Sequence, residues 1–487
     1  MAYTLHQQSE LPPKAITYIC IALGLLTMTY AIISQKLLIA ATIIGLPLIL
    51  IIFIYSVRTP RFSYLVYATI VYYFTAIMRY SRQEGLSVVL DVLLVYMFIS
   101  ILFCMSQRKA HIHIQNAVNC LTISYTAWML FILLQFTHPA IDQEKVIIGI
   151  RSWILAVPML YILSSLLADS PKILKRGLIL IGIFTITAFL KLIYQKYWWF
   201  DSAETEWLMK GSWYTHILST GIRYFSIFSD AGNFGASMGM ITIVYSIVCF
   251  HTPSKNLRIF YLSVAIMGAI GMFMSGTRGA IIVPMGGLIL YCFLSKNIKI
   301  MTISAISGVI LYAFFAFTDI GDSNAFIRRM RTAFRPSDDA SFNVRVDNQK
   351  LIGEYMATHP WGAGIDNGIP RTRIDNGRII EENIPPDSFY VDIWIQTGSI
   401  GLILYITIYA IVLLRCCYII MFRIKDKKLR HTLAALLCGV FGMWLNGYVG
   451  RGMGMPPNSF LIAASLAFVL NGPYIDSQLT DKKNFDK

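Results

Sequence analysis

Arg278 stands in the stretch MSGTRGA, residues 274–280, between two long apolar runs. A guanidinium keeps its proton and presents a planar fork that holds phosphate oxygens two at a time. Gly276 and Gly279 beside it admit a tight turn and the close approach of a ligand, while Ser275 and Thr277 add hydroxyl donors. The group suits a phosphate. Arg345, in NVRVDNQ, is set apart by PSDDAS from Arg328, Arg329, Arg331 and Arg335. Residues 328, 331 and 335 fall on one helical face and read as a surface for anionic headgroups. Asp387, in PPDSFYVDIW, is a carboxylate at the start of an apolar run. His359 in THPWGAGIDN reads as a turn residue before Pro360. Arg151 lies inside VIIGIRSWILAVP, where a charge is costly unless it faces a polar cavity. Arg223, in GIRYFSIFSDAGNFG, is a further candidate contact to phosphate, whereas Asp230 and Asn233 read as helix caps. The pairs Asp338-Asp339 and Glu381-Glu382 read as solvated loop, so the expected chemistry uses neither metal nor cofactor.

These side chains must be positioned by membrane helices. The 487-residue chain is 56% hydrophobic and 14% charged, with a mean hydropathy of +0.60. This predicts an all-α polytopic bundle forming a single integral membrane domain over residues 1–487. Apolar runs at 15–34, 37–55, 62–78, 87–105, 114–136, 146–168, 177–194, 233–251, 259–274, 279–295, 300–317, 392–414, 431–449 and 457–472 predict about fourteen spans. The first lacks a small-residue cleavage site and reads as retained. Every second loop is basic, as at Arg58 and Arg61, Arg108 and Lys109, and Lys172 to Arg176, which places both termini in the cytoplasm. Two long segments then lie outside: 195–232, and 318–391 between the eleventh and twelfth spans, expected to form short helices over a cavity lined by Arg278, Arg151 and Asp387. His138 and His216 fall on that same side. Trp198, Trp199, Trp207 and Trp213 predict a segment at headgroup level. The net charge of +15 follows from basic loops and arginines, so no nucleic-acid partner is implied. The cysteines sit in apolar runs without ligand spacing.

The SGTRGA turn, NVRVDNQ followed by THPWGAGIDN, and PPDSFYVDIWIQTGSIGLILYI occur in an order that resembles the O-antigen ligase and O-antigen polymerase superfamily of bacterial membrane glycosyltransferases, GT-C in type. The motifs cover roughly residues 223–414. The resemblance implies that Arg278 and Arg345 hold the diphosphate of an undecaprenyl-linked glycan; the residues themselves offer Arg151, Arg223, Ser275 and Thr277 as further contacts. It also implies transfer with inversion to an acceptor hydroxyl on the periplasmic face of the inner membrane. A second carrier-linked glycan as acceptor makes a polymerase, with a chain-length regulator as possible partner; lipid A-core makes a ligase. The family carries His-Asn where this chain has Asp387-Ser388, so the base is Asp387 or His359. A lipid-linked oligosaccharide flippase is the alternative from another class, but no internal repeat is evident and the large loop lies late and on one side.

Overall fold

Apolar runs of this length leave their backbone groups no water to bond, and a helix satisfies each of them internally. The computed structural model describes residues 51–83, 85–107, 112–137, 143–218, 221–296, 298–321, 323, 324, 327, 328, 331, 340–375 and 378–485. It is an all-α membrane helix bundle. Its helices are α1 (Pro60–Ser81), α2 (Ser87–Ser106), α3 (Cys120–Gln135), α4 (Gln143–Gly149), α5 (Val157–Leu167), α6 (Pro171–Trp198), α7 (Ser202–Trp207) and α8 (Trp213–His216). There follow α9 (Ala231–Phe250), α10 (Lys255–Met274), α11 (Ile282–Leu294), α12 (Ile298–Phe317), α13 (Ala340–Thr358), α14 (Phe389–Tyr418), α15 (Lys427–Asn446), α16 (Asn458–Leu470) and α17 (Gly472–Phe485). Strands β1 (Ile217–Leu218) and β2 (Gly221–Ile222) form one small antiparallel pair; β3 (Pro370–Asp375) and β4 (Arg378–Asn383) form another.

Among the described residues, six helices are long and apolar enough to cross a membrane, or seven if the bent pair Asn458–Leu470 and Gly472–Thr480 is one span. A helix occupies each expected span from 62–78 onward. The stretch 15–34 and most of 37–55 lie outside the described residues, as do His138, Arg329, Arg335 and Asp338-Asp339. The expected span 146–168 is divided by a π-helical segment, Ile150–Ala156, between α4 and α5.

Among the six candidate spans in the described residues, α9 is the most deeply buried. Gly235, Ala236 and Gly239 let its neighbours approach closely. Asp230 caps it, accepting the amide protons of Gly232 at 2.7 Å and Asn233 at 2.9 Å. The outer helices leave aliphatic side chains such as Val88, Val92 and Ile99 exposed, as a lipid-facing surface requires.

The segment 318–391 departs from the expectation of short helices. α13 runs for 19 residues, and β3 and β4 form a hairpin in which Arg371 faces Glu382 across the strands. The segment docks on α14 at Gly398, whose φ is +71 and where a Cβ would strike the Pro360 carbonyl oxygen. Ala363 N–H donates to Ile395 O at 2.7 Å there, joining PWGAG to TGSIG.

In the segment 195–232, Trp198 is 69% exposed, but Trp207 and Trp213 pack inward against a buried aromatic cluster rather than lying at the surface. The Arg79 guanidinium sits over the rings of Trp207 and Phe225, at 4.7 and 4.5 Å, which draws both indole and phenyl inward. Arg331 also turns inward: it is 3% exposed and donates to Ile320 O at 3.0 Å, so the expected lipid-facing helical face does not include it.

Candidate active site

The turn carrying Arg278 is held from within. α10 ends at Met274; Ser275 Oγ then donates to Met272 O at 2.7 Å and accepts the Thr277 amide proton at 3.1 Å. Gly276, with φ +59, takes the left-handed conformation that makes the reversal, and residues 278–281 form a 3₁₀ turn leading into α11. Asn446, at the end of α15, donates to Gly279 O at 2.7 Å and ties the turn to that helix.

Thr277 joins this turn to the segment before α9. Its hydroxyl donates to Ala231 O at 2.9 Å and accepts from Arg223 Nη2 at 3.0 Å. Arg223 Nη1 donates to Thr215 O at 2.9 Å, and its Nε is buried without a partner. His216 anchors the same strand: Nε2 accepts the Ala231 amide proton at 3.2 Å and Nδ1 donates to Ser212 O at 2.9 Å. This pattern requires neutral imidazole, and burial pushes its pKa down to about 4.

α13 supplies Arg345 and, one turn on, Asn348. Asp387 arrives on the loop before α14 with φ +53, a conformation rare for a residue with a side chain. The next residue, Ser388, caps α14 and donates from Oγ to Gly447 O at 3.1 Å, while Phe389 N–H donates to the same carbonyl at 2.9 Å. The end of α15 thus fixes both the arginine turn and the carboxylate.

These elements meet around a cleft of about 450 Å³ whose lining includes Arg223, Thr277, Arg278, Val344, Arg345 and Asp387. Burial pushes the Arg223 guanidinium below its ordinary pKa, and the charges of Arg278 and Arg345 push it the same way against Asp230. Three guanidinium groups beside one carboxylate in the lining of a single cleft can attract an anion.

Four expectations on site residues are revised. Arg151 does not line this cleft; it pairs with Asp91 of α2, so an intramembrane carboxylate compensates its charge instead of a ligand. Ser275 is 0% exposed, its hydroxyl committed to the turn. His359 lies outside the cleft lining, stacked on Tyr355 with ring centres 4.1 Å apart and hydrogen-bonded through Nδ1 to Tyr355 O at 2.9 Å. Glu382 is no solvated loop residue: Oε1 accepts from Arg371 Nε at 2.9 Å and Nη2 at 2.6 Å. Asn348 and Arg371 escaped the sequence reading, because only the hairpin register and the pitch of α13 bring them near Asp387.

No curated protein matches the chain. Residues 262–406 match the family model described as O-antigen ligase, a stretch that contains Arg278, Arg345 and Asp387. Over that stretch the chain is similar to the O-antigen ligase family, in keeping with the order of the SGTRGA, NVRVDNQ and PPDSFYVDIW motifs.

Proposed function

We propose that this chain is a metal-independent, inverting glycosyltransferase that takes its glycan from undecaprenyl diphosphate on the outer face of the inner membrane. The family supports a glycosyl-transfer reaction on lipid-linked glycans. The observation that carries the finer reading is the single cleft shared by Arg223, Arg278, Arg345 and Asp387. In the proposed reaction the acceptor hydroxyl oxygen forms a bond to the anomeric carbon as the carbon–oxygen bond to the diphosphate breaks. Asp387 takes the hydroxyl proton, and the arginines hold the developing charge of the departing undecaprenyl diphosphate. Segment 318–391 roofs the cavity in this reading. A second carrier-linked glycan as acceptor makes the protein a surface-polysaccharide polymerase. With lipid A-core as acceptor the protein is a ligase, the second reading, and the matched family is described by that name.

The test uses purified protein and lipid-linked glycan extracted from cells lacking the gene. Release of undecaprenyl diphosphate should fall by about 10² in Arg278→Ala and should be indifferent to EDTA. Unchanged release in Arg278→Ala, or loss in EDTA with recovery on adding Mg²⁺, would contradict the reading.

A further inference from the structure

Asp387 does not stand alone in the cleft. Asn348 Nδ2 donates to its Oδ2 at 3.2 Å, and Asn348 Oδ1 accepts from Arg371 Nη1 at 3.2 Å. Arg371 is in turn held by Glu382, its cross-strand neighbour in the β3–β4 hairpin. A carboxamide has one accepting and one donating end, and a guanidinium can only donate. Arg371 therefore fixes which end of Asn348 faces Asp387: the oxygen is claimed by the arginine, so the NH₂ group must point at the carboxylate. Asn348 is 5% exposed, so water has little access to compete for either end.

We propose that Arg371 and Glu382 are positioning residues that act through Asn348 to hold Asp387 in one orientation for proton abstraction. The proposal rests on Asp387 being the base. The arrangement gives the polar outer segment a defined task. One face of α13 brings Arg345 to the diphosphate and, three residues on, Asn348 to the base, while the hairpin sets the polarity of the amide. Without Arg371 the oxygen end of the Asn348 amide is unheld, and the side chain gains rotamers that leave the carboxylate. In such rotamers the hydrogen bond to Asp387 is broken, so the contact is made for a smaller share of the time and Asp387, already in an unfavourable backbone conformation, is held less firmly.

The experiment measures kcat and KM for lipid-linked glycan extracted from cells lacking the gene, together with the Kd of undecaprenyl diphosphate. Arg371→Ala should lower kcat about tenfold or more with that Kd unchanged within about twofold. Glu382→Gln, which keeps an acceptor for Arg371, should retain more of the rate than Glu382→Ala. Added to Asp387→Asn, the Arg371→Ala change should cost nothing further, because the group it positions is gone. A kcat equal to wild type in Arg371→Ala overturns the proposal while leaving the base assignment intact. So does a parallel loss of kcat and undecaprenyl diphosphate binding, which would mean that the hairpin merely props up α13. Full rate in Asp387→Asn removes the base assignment, and the relay with it.

Discussion

Arg345→Ala should separate ligand binding from folding, because the two respond with opposite signs. In the free protein Arg345 forms no ion pair with a described carboxylate, and its charge opposes that of Arg223 across the cleft. Its removal should leave the unfolding midpoint unchanged or slightly raised, since relief of repulsion between partly exposed charges amounts to about 0.2–1 kcal/mol. Binding should suffer far more. A forked contact to phosphate contains two charge-assisted hydrogen bonds of about 1.5–3 kcal/mol each, and losing them with partial replacement by water costs about 3 kcal/mol, roughly 10² in Kd. At a ligand concentration of about 100 times the wild-type Kd, undecaprenyl diphosphate stabilises wild type by about 2.7 kcal/mol and the variant by only about 0.4 kcal/mol. Thermal unfolding in detergent with and without undecaprenyl diphosphate reads both effects. A variant that unfolds earlier without ligand yet keeps the full ligand-induced shift would show that Arg345 is structural, and the diphosphate assignment would fail.

Further expectations concern residues around the cleft. Arg151→Ala leaves Asp91 without its cation and should destabilise the protein by about 1–3 kcal/mol, less than for a fully buried pair because both side chains are partly exposed, whereas Arg151→Met with Asp91→Leu should recover most of that in the same unfolding assay. His216 is neutral in the fold, with its pKa near 4 against an ordinary value near 6.5, so the unfolded chain binds the extra proton first. Its contribution of about 3 kcal/mol should be complete above pH 6.5, decline as pH falls towards 4 and be absent below; in His216→Phe that segment of the stability–pH curve should flatten. His359→Phe keeps the stack on Tyr355 and should retain the transfer rate within about threefold, whereas loss of a base would lower it by about 10².

The membrane helices were legible because bilayer thickness dictates the length of an apolar run. The turn at Arg278 was legible because a glycine-flanked arginine between two such runs has no evident structural task. The role of Arg151 was not, since its partner Asp91 lies 60 positions earlier and on a different helix. Ser275 looked like a ligand group because nothing local announces that its hydroxyl turns back to Met272. The hairpin was hidden in polar sequence whose strands lack an apolar alternation. Asn348 and Arg371 became meaningful only once pairing placed Arg371 opposite Glu382 and α13 brought Asn348 beneath it. Local chemistry marked the charges that share the cleft, while the groups bonded behind them depended on long-range packing.

The central claim concerns where the diphosphate sits. A cryo-electron microscopy map of the protein with undecaprenyl diphosphate should show diphosphate density between Arg278 and Arg345, within hydrogen-bonding reach of both and beside Arg223. Diphosphate density elsewhere, for example in the basic cleft formed by Arg58, Lys172 and Arg176, with the Arg278 cleft empty, would contradict the account.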